Sequence, residues 1–363
     1  MGDEFVRVAE EIDEETYRFP WRDARGRVRE QGERMPHRTE FDLCSGMKIM
    51  PTHHVRRSGL TMPVNNPRFL NAVWTRGCDF VNLDLEDSVP ESQKPYARTL
   101  VKSAIPTAAK GGAEVFVRIN HDYVEADLEA VVWPGLARVN YPKAETAAEM
   151  RKLDSIISRL ERERGIRPGT VEIGANIETA RGVANGYEIA SASPRVKDFG
   201  GGTGYDMSRD LGVEMFVSFD QFVYGKGELE LVTRALGLAI HRAAPFVANT
   251  TGSVSDTERA FLAAEAARKC GFREGGGLHP NVIEPQNRGF TPTAEEVADA
   301  KGVLERYRAL QRAGQVVEEI HGRVIDVYEA RRAEDLLEWA ELCAERNAEK
   351  AEAVARTKAA EQR

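Results

Sequence analysis

From about residue 57 onward, short apolar runs alternate with longer stretches whose apolar positions recur at three-and-four spacing. The runs are 58–64, 78–86, 113–120, 137–145, 171–178, 196–206, 244–251 and 271–280; they are often β-branched, and most end in polar or glycine residues. Between them lie helix-like segments such as PRFLNAVWTRG, AEMRKLDSIISRLERERG and DTERAFLAAEAARKCG, the last two ending in a glycine suited to a helix C-terminus. Eight strands alternating with helices predict an α/β protein built as a (β/α)8 TIM barrel. A doubly wound sheet gives the same alternation, and pattern alone leaves it open.

The pattern divides the chain into an N-terminal extension (1–55), a barrel (56–292) and a C-terminal helical segment (293–363). The extension is polar and without sustained period, and is expected to wrap the main domain or a neighbouring subunit. In the last segment EEVADAKGVLERYRALQRAG is amphipathic, and the helical pattern continues past Gln315 into an Ala- and charge-rich end expected to fray. Two readings of that end stand side by side. It is a solvated helical tail, or it packs on a second subunit, because Leu336, Leu337 and Trp339 need covering.

Composition narrows the function classes. With 42% hydrophobic and 30% charged residues, a sizeable core is expected and wholesale disorder is not. A formal net charge of -8 argues against nucleic acid as a partner. No run approaches the roughly 18 apolar residues of a membrane span. The acidic start lacks an apolar signal region, and Val6 stands where myristoylation wants Ser or Thr, so a cytoplasmic protein is expected. Cys44, Cys78, Cys270 and Cys343 form no CxxC and read as reduced thiols.

In a barrel the chemistry gathers at the C-terminal ends of the strands. Here those ends read Asp84-Leu85-Glu86-Asp87, Arg118-Ile119-Asn120, Pro142-Lys143-Ala144-Glu145, Glu178-Thr179-Ala180-Arg181, a glycine run leading to Asp206, and His279-Pro280. Hard oxygen ligands without paired Cys or close-spaced His favour Mg²⁺ or Mn²⁺ over zinc. Such a cation suits an α-keto acid or similar chelating substrate, with an arginine assisting at a developing enolate. Each residue also has a structural reading. Asp87 and Asp206 are possible helix caps, Glu178 a partner for Arg181, and His279 a turn residue. The glycines at 200, 201, 202 and 204 do not match dinucleotide-loop spacing.

At these residues the chain resembles the citrate lyase β-subunit/HpcH-HpaI aldolase superfamily, which includes malyl-CoA, citramalyl-CoA and citryl-CoA lyases. The matching segments run in family order across residues 56–312. They are Arg57-Ser58 with Leu60 and Pro63, Leu83-Asp84-Leu85-Glu86-Asp87-Ser88-Val89 with Lys94 and Arg98, Val117-Arg118-Ile119-Asn120, and Pro142-Lys143-Ala144-Glu145. Then follow Ile177-Glu178-Thr179-Ala180-Arg181-Gly182, Asp206 with Asp210-Leu211-Gly212, and His279-Pro280 leading to Pro285, Asn287, Phe290 and Pro292. The resemblance implies that Glu178 and Asp206 bind the metal directly, and that Glu86 and Asp87 hold metal-bound waters. It implies that Arg118 meets the substrate carbonyl or enolate, and that Arg57, Lys143, Gly204, Tyr205 and Asp206 contact substrate.

On that basis a Mg²⁺- or Mn²⁺-dependent carbon–carbon lyase is expected, cleaving or forming a β-hydroxy acid or its CoA thioester and releasing a keto acid such as glyoxylate or pyruvate. A thioesterase or synthase on the same scaffold is the second reading and a non-catalytic partner subunit the third. A homo-trimer or hexamer is expected. The chain departs from the family after Gly271-Phe272, where no lysine follows, and at Ala248-Asn249-Thr250-Thr251-Gly252, where an acidic, proline-containing segment is common.

Overall fold

The computed structural model describes residues 54–201, 204–214, 223–236, 239–241 and 256–362, all within one compact unit, Ile49–Arg363. Almost all of the expected N-terminal extension therefore lies outside the described residues. Seven parallel strands form one sheet in sequence order: β1 (Gly59–Pro63), β2 (Phe80–Asp84), β3 (Glu114–Arg118), β4 (Leu136–Tyr141), β5 (Glu172–Ile177), β6 (Val196–Gly201) and β7 (Ala239–His241). Sequential parallel pairing of this kind requires a crossover between each pair, and the helices supply it on the outer face.

The eighth expected strand, 271–280, contributes isolated bridge positions, at Glu274 and Gly277, rather than a strand. Gly277 pairs with Leu60 of β1, with its N–H 2.9 Å from Gly59 O and its carbonyl 2.9 Å from Thr61 N. The segment thus returns to the first strand, as a TIM barrel requires, but no pairing with β7 occurs among the described residues. Three consecutive glycines followed by Pro280 explain why so little of it is strand. The expected seventh run, 244–251, lies outside the described residues, and β7 precedes it in the chain.

Strand residues alternate sharply. On β2, Val81 and Leu83 are fully buried with Val101 and Ile105 of the helix Lys94–Ala108 in one apolar cluster. Their neighbours Asn82 and Asp84 face the axis, which the sequence reading of apolar strand bodies had not anticipated. Asn82 donates to Thr61 Oγ1 at 3.2 Å, and Asn140 of β4 donates to Asn82 Oδ1 at 3.0 Å. A bond between β2 and β4, which are not adjacent, crosses the interior. Lower down, Arg138 lies 4.2 Å over the Phe116 ring and pairs with Asp198 and Glu274. Gly174 makes room for this layer: a Cβ there would overlap Asn140 Oδ1.

Helix ends follow the local code. Thr146 with Glu149 and Thr293 with Glu296 form capping boxes for the helices Ala147–Glu163 and Ala294–Arg312. The run after Gln315, expected to stay helical, instead makes a hairpin, Glu318–Ile320 paired with Arg323–Ile325. His321 and Gly322 turn it, both at positive φ (52° and 80°), as a two-residue hairpin turn demands. Asp326 then caps one helix, Val327–Glu361, which is regular to its end rather than frayed. Trp339 is covered within the chain: its Nε1 donates to Phe290 O at 2.7 Å, and it packs with Val55 and Cys343. Leu336 and Leu337 pack on the cluster around Ala330 and Ala333.

Candidate active site at the C-terminal rim

The rim is built by the residues that follow each strand. Asp84 ends β2, and its carboxylate is fully buried. It accepts from the backbone N–H groups of Glu86 and Ser88, both at 3.0 Å, and so shapes the Glu86–Asp87 turn. Arg118 ends β3 and lays two nitrogens on Asp84, Nε to Oδ1 and Nη2 to Oδ2, each at 2.7 Å. Its third nitrogen, Nη1, faces Glu86 Oε2 at 2.8 Å and Asp87 Oδ2 at 3.5 Å. The fork fixes the guanidinium plane, so one edge is spent on Asp84 and the other meets Glu86 and Asp87.

Charge balance at this corner is uneven. Burial alone would raise the Asp84 carboxyl, but the Arg118 hydrogen bonds and charge outweigh it and hold the group below its usual range. Glu86 goes the other way. Burial pushes its carboxyl up, and the attractions of Arg118 and Lys143 do not cancel that. Its buried Oε2 pairs with Arg118, while Oε1 meets Lys143 Nζ at 3.1 Å. Lys143 Nζ also lies 3.6 Å from Asp206 Oδ1.

Asp206 sits in the first turn of the helix Tyr205–Leu211, two residues past the N-cap Gly204. The N-cap reading of Asp206 therefore falls to Gly204, whose φ of 102° favours glycine. Glu178 directly follows β5, where Thr179 caps the next helix and Asp210 accepts from Ala180 N at 2.6 Å. Arg181 pairs with Glu145 at 3.5 Å. Asp87 caps no helix and is largely exposed beside Arg118. His279 does take its structural reading, accepting from Asn281 N at 3.2 Å.

A cleft of about 410 Å³ opens between the β2, β3 and β4 ends, lined by Glu86, Asp87, Lys94, His121, Lys143 and Glu145 among others. Lys94 and His121 carried no expected role. Lys94 donates to Asn120 Oδ1, and the Asn120 N–H is held at 2.7 Å by the buried Asp127. His121 lies 3.2 Å from Glu149 and stacks on Tyr141. Their signal was position: each lies in or just after a matching segment.

One expected site residue is elsewhere. Arg57 precedes β1, at the opposite end of the strands, and is fully buried. Its guanidinium is consumed by Asp79 at 2.9 and 3.1 Å, Thr291 at 2.9 Å and Asn347 at 2.7 Å. The substrate contact expected of Arg57 is therefore corrected to a structural ion pair.

Among the described residues, no three His, Cys, Asp or Glu side chains stand close enough to hold an ion by themselves. The rim donors are the carboxylate oxygens of Glu86, Asp87 and Asp206, gathered beside Arg118 and Lys143. This set fits a hard cation that takes one or two carboxylates and fills its remaining positions with water and substrate, as Mg²⁺ does.

A family model, HpcH/HpaI aldolase/citrate lyase, matches residues 57–265. The chain belongs to the HpcH/HpaI aldolase/citrate lyase family. It is 30% identical over 292 residues to the citrate lyase subunit beta of Escherichia coli strain K12, covering 79% of this chain and 94% of that one. It is 28% identical to an L-malyl-CoA/beta-methylmalyl-CoA lyase of Cereibacter sphaeroides, covering 80% and 96%. A (3S)-malyl-CoA thioesterase of the same species is 29% identical over 75% of this chain and 90% of its own. Among solved structures, CitE of Mycobacterium tuberculosis in complex with magnesium, acetoacetate and coenzyme A aligns with a TM-score of 0.64 at 25% identity, covering 80% of this chain and all of that one. The family is one of carbon–carbon lyases on a TIM-barrel-type fold, which agrees with the strand order found here. Among the described residues, no helix is long and apolar enough to cross a membrane.

Proposed function

We propose that this protein is a Mg²⁺-dependent lyase that cleaves, or in reverse forms, the carbon–carbon bond of a β-hydroxy acid or its CoA thioester and releases a keto acid such as glyoxylate or pyruvate. The observation that carries this reading is the rim. Carboxylates and a fork-held arginine converge where the barrel strands end, beside an open cleft.

Glu178 and Asp206 are the proposed direct ligands of the ion. When bound, the ion would polarise the substrate's carbonyl oxygen and favour the enolate that bond cleavage leaves behind. Arg118 presents Nη1 to the same oxygen, and Asp84 holds the fork so that no reorientation is needed as charge develops. Glu86 and Asp87 orient waters around the ion, with Arg118 Nη1 beside both carboxylates. Lys143 and the backbone at Gly204, Tyr205 and Asp206 are the proposed contacts of a substrate carboxylate.

A thioesterase is the second reading, supported by the relative of that name. In both, the partner is a small hydroxy or keto acid or its thioester, and the active form is proposed to be a homo-trimer or hexamer. The decisive experiment incubates the protein with malyl-CoA, citramalyl-CoA and free 4-hydroxy-2-oxo acids, and assays keto acid against free thiol. Keto acid without thiol release marks the lyase; thiol without keto acid marks the thioesterase. Neither product from any substrate overturns both.

A further inference from the structure

Lys143 stands at the turn after β4 with its backbone in the left-handed region, φ 52°, where a side chain is uncommon. That conformation carries the side chain to the rim, where its ammonium lies 3.1 Å from Glu86 and 3.6 Å from Asp206. These are the carboxylates that the proposed metal site uses. An ammonium and a divalent ion cannot share them cheaply, because like charges a few ångströms apart repel strongly even near a protein surface.

The two rim cations differ in how they are held. Arg118 is pinned from below by the fork on Asp84. Lys143 reaches the rim on a flexible stem, its ion pairs are with the rim carboxylates, and its side chain is one-third exposed (33%). It has room to leave. We propose that Lys143 is a built-in stand-in cation, which holds Glu86 and Asp206 together while the site lacks a divalent ion and is displaced toward the cleft when one binds.

This rests on the assignment of Glu178 and Asp206 as metal ligands. Displacement makes the vacated ammonium available to an incoming carboxylate only once the ion is in place, so metal and anionic substrate would load in that order.

The test is calorimetric titration of the full chain with Mg²⁺, together with thermal melts in Mg²⁺ and in EDTA. Removing a competing charge should tighten metal binding, so Lys143→Met and Lys143→Gln are each expected to bind Mg²⁺ about fivefold or more tightly than wild type. Both should melt lower than wild type in EDTA, with a wider gap between the two melts. Lys143→Arg, which keeps the charge, should stay near wild type in both measurements. Weaker or unchanged Mg²⁺ binding in the Met and Gln variants overturns the proposal, since a residue that merely shapes the site would loosen it when lost. Glu178→Gln separates the two ideas. If it binds Mg²⁺ as well as wild type, the metal assignment itself fails; if it loses affinity while the Lys143 variants do not change, only the role of Lys143 fails.

Discussion

Arg118 and Asp84 meet through two parallel contacts of 2.7 Å at the ends of neighbouring strands, and the carboxylate is fully buried. A buried fork of this kind is costly to break from either side. Arg118→Lys keeps the charge but loses the plane, so turnover should fall by about two orders of magnitude while Mg²⁺ binding stays nearly intact. Asp84→Asn should lower turnover in the same direction by letting the guanidinium drift, and destabilise the fold by about 3 kcal/mol. Steady-state kinetics with parallel metal titration checks both. Loss of metal binding in the Arg118 variant would show the roles to be misassigned.

Glu178→Gln preserves shape and removes one ligand charge. Metal affinity and turnover should drop together, and excess Mg²⁺ should restore part of the turnover. Activity that survives exhaustive chelation would remove the ion from the mechanism.

Arg57 gives the opposite profile. Arg57→Met leaves Asp79 buried with part of its compensation gone, an expected loss of about 3–5 kcal/mol. Because the pair sits at the far end of the barrel, kcat/KM of the folded fraction should be unchanged. Denaturant unfolding beside kinetics distinguishes this from the substrate contact that its motif implied.

Acid sensitivity follows from Asp84. Its folded carboxyl is held below the ordinary value, so its contribution to stability is present above that value and is lost as pH falls through the lowered one. Urea unfolding should show stability declining below about pH 4, and Arg118→Met should flatten that decline. An equally steep decline in the variant would show that Asp84 is not among the groups responsible.

The rim was legible because a barrel converts chain position into geometry. Glu86, Arg118, Lys143 and Asp206 meet in a chain of close contacts for the simple reason that each ends or follows a strand. The same rule, applied strictly, puts Arg57 on the other face, since it precedes β1; the motif carried it to the wrong end. Asp84 had no assigned role because its partner lies 34 residues away and the pair is invisible to local pattern. The hairpin at 318–325 was hidden in a helical-looking run, and only His321-Gly322 marked it.

The long last helix has a consequence for how the protein is made. Asp79, buried beneath the barrel, takes one cation from Arg57, 22 residues away, and another from Lys350, 271 residues further along. Arg346 adds hydrogen bonds to the carbonyls of Asp79 and Gly112, tying the starts of β2 and β3 to the same helix. During synthesis the early strands exist long before their second counter-charge does. Until Lys350 is made, that carboxylate has Arg57 but not its second cationic partner, and a chain that stops short of Lys350 never completes the arrangement. The helix thus ties the last-made segment of the chain to its first strands, and chains truncated before Lys350 are expected to be less stable and more readily proteolysed.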